Sequence, residues 1–244
     1  MSVVEPLLRA TGVRKVYRTG TVETEALHHL DLVVYPGELM AVMGPSGSGK
    51  TTLLNCLSGL DDIDGGTVEI AGRELFAMSD SDRTEHRARS MGFVFQSFNL
   101  IPVFSAAENV ELPLLLVGQA PGPARQLAEE ILARVGLGHR IDHRPNELSG
   151  GEQQRVAIAR ALVAKPAIVW ADEPTGNLDS AMADAVVDLL RELNYADGQT
   201  IVLVTHDDSV GSRAGRVVRM RDGRIVADER LAPTPSNPAP AGQE

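Results

Sequence analysis

The chain has 244 residues, 43% hydrophobic and 4% aromatic, with 33 acidic against 23 basic side chains and a formal net charge of −10; that length suits one large α/β domain with a buried core. The charge balance excludes an extended nucleic-acid interface and direct adhesion to an anionic leaflet, both of which need concentrated positive charge. The single cysteine, Cys56, excludes a disulfide framework and a Cys-based zinc site and points to a reducing compartment.

In chain order, Leu30, Leu32 and Val34 alternate with more polar neighbours, as a half-buried strand does. The segment Met40–Met43 is apolar on both faces, which suits a strand in the middle of a sheet. A helical pattern covers Thr51–Leu60, and Cys56 within it reads as a small core residue. Val68 and Ile70 repeat the strand alternation. Phe93 and Phe95 share one strand face and are expected in the core. Helical patterns follow at Ala124–Val135, Glu152–Ala164 and Ala181–Leu193, separated by the apolar runs Ile168–Ala171 and Ile201–Val204. Strand, helix, strand with continuous apolar strands predicts a mainly parallel sheet covered on both sides. Val217–Met220 and Arg224–Val226 flank Arg221-Asp222-Gly223, a hairpin turn in which Gly tolerates positive φ. Residues 232–244, dominated by Pro and Ala, read as a disordered tail. There is no charged start followed by an apolar run, and no stretch approaches the ~18–20 apolar residues of a membrane span, so a cytosolic type is expected.

Gly44-Pro45-Ser46-Gly47-Ser48-Gly49-Lys50-Thr51 fits the phosphate-loop pattern, and it follows the buried strand and opens a helix, as the chemistry requires. Glycines turn backbone N–H groups toward phosphate oxygens, and the helix N-terminus adds partial positive charge. Lys50 would neutralise the terminal phosphates, and Thr51, followed by Thr52, would offer a hydroxyl to Mg²⁺. A second signal is Ile168-Val169-Trp170-Ala171-Asp172-Glu173, a buried strand that delivers two carboxylates to the sheet edge where ligands sit in open α/β folds. Asp172 can hold Mg²⁺ through water, and Glu173 can polarise an attacking water. A third is Leu148-Ser149-Gly150-Gly151-Glu152-Gln153-Gln154-Arg155, a helix start with Ser149 as N-cap and Glu152 completing a capping box.

This third segment resembles the signature of the ATP-binding cassette (ABC) ATPases, and the other landmarks resemble that family over about residues 7–228. Tyr17 matches the aromatic that stacks on adenine. Gln96 matches the glutamine that touches Mg²⁺ and the attacking water and senses the membrane partner. Asn177-Leu178-Asp179 matches the loop linking the two nucleotide sites, and His206 matches the histidine at the γ-phosphate. The resemblance implies a P-loop NTPase of ABC ATPase type, with an N-terminal antiparallel β subdomain, a core of 7–96 and 155–229, and an inserted helical subdomain of about 97–154. It further implies two ATP molecules sandwiched in a head-to-tail homodimer, each between the phosphate loop of one subunit and the Ser149–Glu152 signature of the other. Glu173 would be the general base, Lys50 and His206 would meet the γ-phosphate, and Mg²⁺ would be held by Thr51, Gln96 and Asp172.

Within the family the chain is similar to the ATPases of lipoprotein-releasing and macrolide- or peptide-exporting systems. The carrying segments are Arg87–Gln96, Asn99–Pro102, Glu108–Pro113 and Ala171–Asp179. That branch implies a separate permease docking near Gln96–Phe104, where Phe98, Leu100, Ile101 and Val103 cluster, and a peripheral place on the cytoplasmic face of the membrane. Buried packing is the other reading of those apolar residues. A cell-division-type ABC ATPase, whose partner regulates cell-wall hydrolases, is the alternative function. A chromosome-organising relative would need a long coiled coil between Gln96 and the signature, where only about 50 residues lie.

Overall fold

The computed structural model describes residues 5–231; the expected tail at 232–244 lies outside the described residues. Two strands, β1 (Leu8–Thr19) and β2 (Val22–Val34), form an antiparallel pair, and β4 (Gly65–Ile70) and β5 (Arg73–Glu74) extend it to a four-stranded sheet in the order β2-β1-β4-β5. A second sheet holds β3 (Leu39–Met43), β6 (Met91–Phe95), β7 (Ile168–Asp172), β8 (Thr200–Thr205), β9 (Arg216–Arg221) and β10 (Arg224–Arg230). Its order is β10-β9-β3-β8-β7-β6, parallel throughout except for the β9–β10 hairpin. The turn residues Asp222 and Gly223 have φ of 47° and 70°, the two positive values that let a two-residue hairpin follow the strand twist.

All five residues of β3 are buried, and alternate residues feed different cores. Met40 and Val42 face the antiparallel sheet and α1 (Lys50–Leu57). Leu39, Ala41 and Met43 instead join a second core with α3 (Ala106–Leu116), α4 (Pro121–Arg134), α5 (Gly150–Leu162) and α6 (Ser180–Asp197). A central parallel strand covered on both sides has to be apolar at every position, because neither face meets water. Burying each Val or Leu contributes about 1.5–3 kcal/mol.

Several expectations shift in detail. Helix α1 ends at Leu57, not Leu60, because Gly59 turns left-handed (φ 68°). The Leu60 N–H then bonds the Asn55 carbonyl at 2.9 Å, and that of Gly59 bonds the Cys56 carbonyl at 3.2 Å, which is the Schellman stop. Cys56 is fully buried, and burial, with Asp61 nearby, pushes its thiol up to about 12, so it acts as packing. Phe93 and Phe95 stack at 6.0 Å between centroids but are only half-buried, because β6 is the last strand of its sheet. Two helices carry no readable apolar period. One is α2 (Asp80–Ser90), charged along its length; the other is α3, whose start at Ser105 is marked by a capping box with Glu108.

Parallel register decides where the chemistry meets. Met43 pairs with Thr205, Val204 with Asp172, and Asp172 with Phe95. Gly44, Gln96, Glu173 and His206 each directly follow a strand, so all four leave the sheet at its carboxyl edge.

Candidate functional site

A cavity of about 1210 Å³ opens at that edge, walled by Gly44–Gly47, Gly49–Thr52, Tyr17, Glu173 and His206. Helix α1 begins at its base with no side-chain cap, whereas α2, α3, α5 and α6 are capped by Ser or Asp side chains. Its first N–H groups are thereby left for an external acceptor, which is how a helix start binds an anion. Gly49 has φ 96°, and a Cβ there would stand 2.8 Å from the Ala26 carbonyl. A Cβ on Gly223 would meet the same carbonyl at 2.5 Å, while the Gly223 N–H bonds the Ser48 carbonyl at 3.1 Å. Strand β2, the phosphate loop and the β9–β10 turn are thus wedged together, and only glycine tolerates the approach.

Lys50 is 8% exposed and donates to the Gly44 and Pro45 carbonyls at 2.8 and 3.1 Å, so its ammonium lies across the loop. The Ser48 hydroxyl is buried without a partner. An unsatisfied donor of this kind beside uncapped N–H groups fits a phosphate group.

Thr51 Oγ1 donates to Asp172 Oδ1 at 3.2 Å. Burial, aided by Glu173, raises the Asp172 carboxyl above its ordinary range, against the Thr51 hydrogen bond. Hydroxyl and carboxylate oxygens are the donors a hard divalent cation prefers. Among the described residues no group of three or more His, Cys, Asp or Glu could hold a metal alone, so Mg²⁺ here would complete its shell from phosphate and water.

Glu173 has φ 47°, a conformation that costs a non-glycine residue about 1–3 kcal/mol. Its own N–H bonds the Val204 carbonyl at 2.9 Å, and Oε1 lies 2.9 Å from His206 Nδ1. An ionised carboxylate only accepts, so Nδ1 carries the proton and Nε2 is the free nitrogen of an exposed ring. The turn behind Glu173 is held by Gln154, which is fully buried and donates to the Pro174 carbonyl at 2.5 Å.

Other residues singled out by sequence do not reach this cavity. Gln96 Nε2 donates to Asn177 Oδ1 at 3.2 Å, and Asn177 Nδ2 returns a bond to the Gln96 carbonyl at 3.0 Å, so Gln96 is turned to its neighbouring loop. Ser149 and Glu152 form the capping box, with bonds of 3.3 and 2.8 Å, and Arg140 holds Glu152 at 3.1 Å. The signature backbone, with Gly150 and Gly151 against Leu178 and Met182, lies outside the cavity wall. Asp179 caps α6 through Met182 N–H at 2.9 Å. Conversely, Glu25 and His28 of β2, Arg219 of β9 and Asp208 line the cavity without any motif to announce them, as do Asp222 and Gly223, which the sequence marks only as a turn. Arg219 is there because β9 pairs in parallel with β3, Arg219 opposite Met43, a long-range pairing with no local signal.

A family model described as "ABC transporter" matches residues 27–176. A lipoprotein-releasing system ATP-binding protein from Xanthomonas campestris pv. campestris (strain 8004) is 49% identical over 228 residues, 93% of this chain and 94% of that protein. One from Anaeromyxobacter dehalogenans (strain 2CP-C) is 49% identical over 227 residues, 93% of this chain and 95% of that protein. A macrolide export ATP-binding/permease protein from Azoarcus sp. (strain BH72) is 47% identical over 233 residues, which is 96% of this chain but only 35% of that protein's length. Two dimeric structures of the ATP-binding cassette MJ0796 superpose with TM-score 0.85, each covering 93% of this chain and 100% of the other, at 41% and 42% identity. The first is a post-hydrolysis state bound to ADP and Pi.

Proposed function

This chain belongs to the ABC transporter ATPase family, and from that premise we propose that it drives a separate permease of the lipoprotein-releasing or macrolide- and peptide-export kind. It is an ATPase and the ATP-binding subunit of a transporter. The observation that carries the branch is the 49% identity spanning nearly the whole length of lipoprotein-releasing ATP-binding proteins. No described helix is long and apolar enough to cross a membrane, so attachment would run through that partner, on the cytoplasmic face.

In this reading ATP lies in the cavity with its phosphates on Gly44–Thr52 and its adenine against Tyr17. Mg²⁺, which would shield phosphate charge, would be held by Thr51 and Asp172, and Gln96, here paired to Asn177, would be its third protein ligand. Glu173 takes a proton from the water that attacks the γ-phosphorus, giving ADP and phosphate. Lys50 offsets charge on the transferred group, and His206, held to Glu173 through Nδ1, would join it as the imidazolium by donating from Nε2. The signature at Ser149–Glu152 lies away from its own chain's cavity, which favours a head-to-tail homodimer in which each signature closes the other subunit's site, with Asp179 in the linking loop. The MJ0796 cassettes are dimeric, which supports a dimer for this chain.

Gln154 is a positioning residue here, because it holds the turn that aims Glu173. Gln154→Met should lower kcat about ten-fold or more while KM for ATP stays close to wild type, since small displacements at a reacting centre are costly. Steady-state kinetics beside thermal melting check this; a fall in melting temperature with unchanged kcat removes the role.

The permease would dock at the segment after Gln96. Phe98 and Asn99 both have left-handed φ, 60° and 50°, and Arg160 on α5 clamps their carbonyls at 2.8 and 2.5 Å. Phe98 is half-buried, while Val103 is 68% exposed. Affinity purification of the full chain from membranes should recover a permease with few transmembrane helices and a large extracytoplasmic domain, and Phe98→Ala should reduce its recovery several-fold while ATPase activity of the free subunit persists. Recovery of a cell-wall-hydrolase regulator would overturn the transport branch; unchanged recovery with Phe98→Ala would assign Phe98 to packing.

A further inference from the structure

Tyr17 does not meet the cavity alone. Its hydroxyl donates to Asp61 Oδ2 at 2.8 Å, and Lys15 donates to Asp61 Oδ1 at 2.6 Å and to the Asp62 carbonyl at 2.7 Å. The same ammonium stands 5.0 Å from the centroid of the Tyr17 ring, within range of a cation–π attraction. Lys15 is 8% exposed, in a chain where only Lys15, Lys50 and Lys165 are Lys among 23 basic residues. A compact ammonium with three donors suits a carboxylate, a carbonyl and a ring face meeting at one point, where a planar guanidinium would not.

The carboxylate arrives by the Schellman stop of α1. Past the left-handed Gly59, the Asp61 N–H bonds the Asn55 carbonyl at 3.1 Å, which delivers Asp61 under β1. The wall facing the base is therefore tied to the same helix that begins with Lys50. Burial opposes the charge on Asp61, but hydrogen bonds from Lys15 and Tyr17 outweigh it and hold the carboxyl below its ordinary range. Tyr17 lines the cavity and is 41% exposed, while Lys15 and Asp61 stay behind it.

We propose that Asp61 and Lys15 are positioning residues for base recognition, fixing the Tyr17 ring with one face on the ammonium and the other presented to adenine. The inference rests on the reading of Tyr17 as the adenine platform. Holding the ring in place removes the rotamer entropy that stacking would otherwise cost. The ammonium behind it also draws on the ring's π-electrons, which favours an electron-rich purine on the free face.

The test compares ATP with inorganic tripolyphosphate, which occupies the phosphate loop but has no base. Binding of both to the full chain is measured by calorimetry, and KM and kcat for ATP by phosphate release. Asp61→Ala and Lys15→Met should each weaken ATP about ten-fold, the scale of one lost base stack, with the loss in KM rather than kcat and tripolyphosphate affinity unchanged. Tyr17→Phe, which keeps the ring and removes the hydroxyl, should weaken ATP as well, and combined with Asp61→Ala should be less than additive because the two share one bond. Equal losses for ATP and tripolyphosphate would overturn the proposal, because the effect would then lie in the phosphate loop. Wild-type ATP affinity in both Asp61→Ala and Lys15→Met would overturn it too. Tyr17→Ala separates the two readings: if it leaves ATP affinity intact the platform itself fails, and if it alone weakens ATP the platform stands without the brace.

Discussion

Glu173→Gln should abolish turnover while sparing nucleotide binding. A general base supplies about 10²–10⁴-fold in rate, and the substitution removes basicity without removing shape. The backbone at φ 47° and the N–H bond to Val204 at 2.9 Å are unaffected by exchanging a carboxylate oxygen for an amide. The 2.9 Å contact with His206 can persist through the amide or the other imidazole tautomer. Phosphate release should fall about 10³-fold with ATP affinity near wild type. Since the proposed dimer is held by unhydrolysed ATP, size-exclusion chromatography with Mg-ATP should show dimer accumulating in the variant and not in wild type. Turnover within a few-fold of wild type would remove Glu173 as the base.

Lys50→Ala acts one step earlier, on binding. The buried ammonium bridges the Gly44 and Pro45 carbonyls at 2.8 and 3.1 Å, so it both shapes the loop and stands where phosphate charge would lie. Hydrogen bonds to charged groups contribute about 1.5–3 kcal/mol, and more than one is lost here. ATP affinity should therefore drop about 100-fold or more, each 1.4 kcal/mol being ten-fold. Lys50→Arg should not restore it, because a planar fork cannot occupy an ammonium's place between two carbonyls. Calorimetry with ATP checks both variants, and near-wild-type affinity in Lys50→Ala would show that the backbone cradle alone holds the phosphates.

The parts legible in the sequence are those whose signal is local. The loop from Gly44 to Thr51 needs its glycines in place to fold at all, so its spacing survives as a pattern. The Ser149–Glu152 capping box is likewise complete within four residues, and it forms with the expected partners. The buried strands could be recognised because neither face of β3, β7 or β8 meets water. Helix α2 could not, because a charged surface helix carries no apolar period. The half-exposure of Phe93 and Phe95 was hidden as well, since edge position depends on strand order and not on the residues themselves.

Along the chain alone, then, the family is legible, together with the phosphate loop at Gly44–Thr51 and the proposed base Glu173, each written in contiguous residues. Only the tertiary structure decided that Gly44, Glu173 and His206 converge at one edge, because parallel register aligns strands far apart in the chain. It also decided that Arg219 and Gly223 wall the cavity, that Gln96 is paired to Asn177, that the signature of this chain stays clear of its own phosphate loop, and that Lys15, Tyr17 and Asp61 meet. Each of those is a contact between segments with no local preference for one another. Strand order and the packing of both cores bring them together, and no spacing along the chain encodes that.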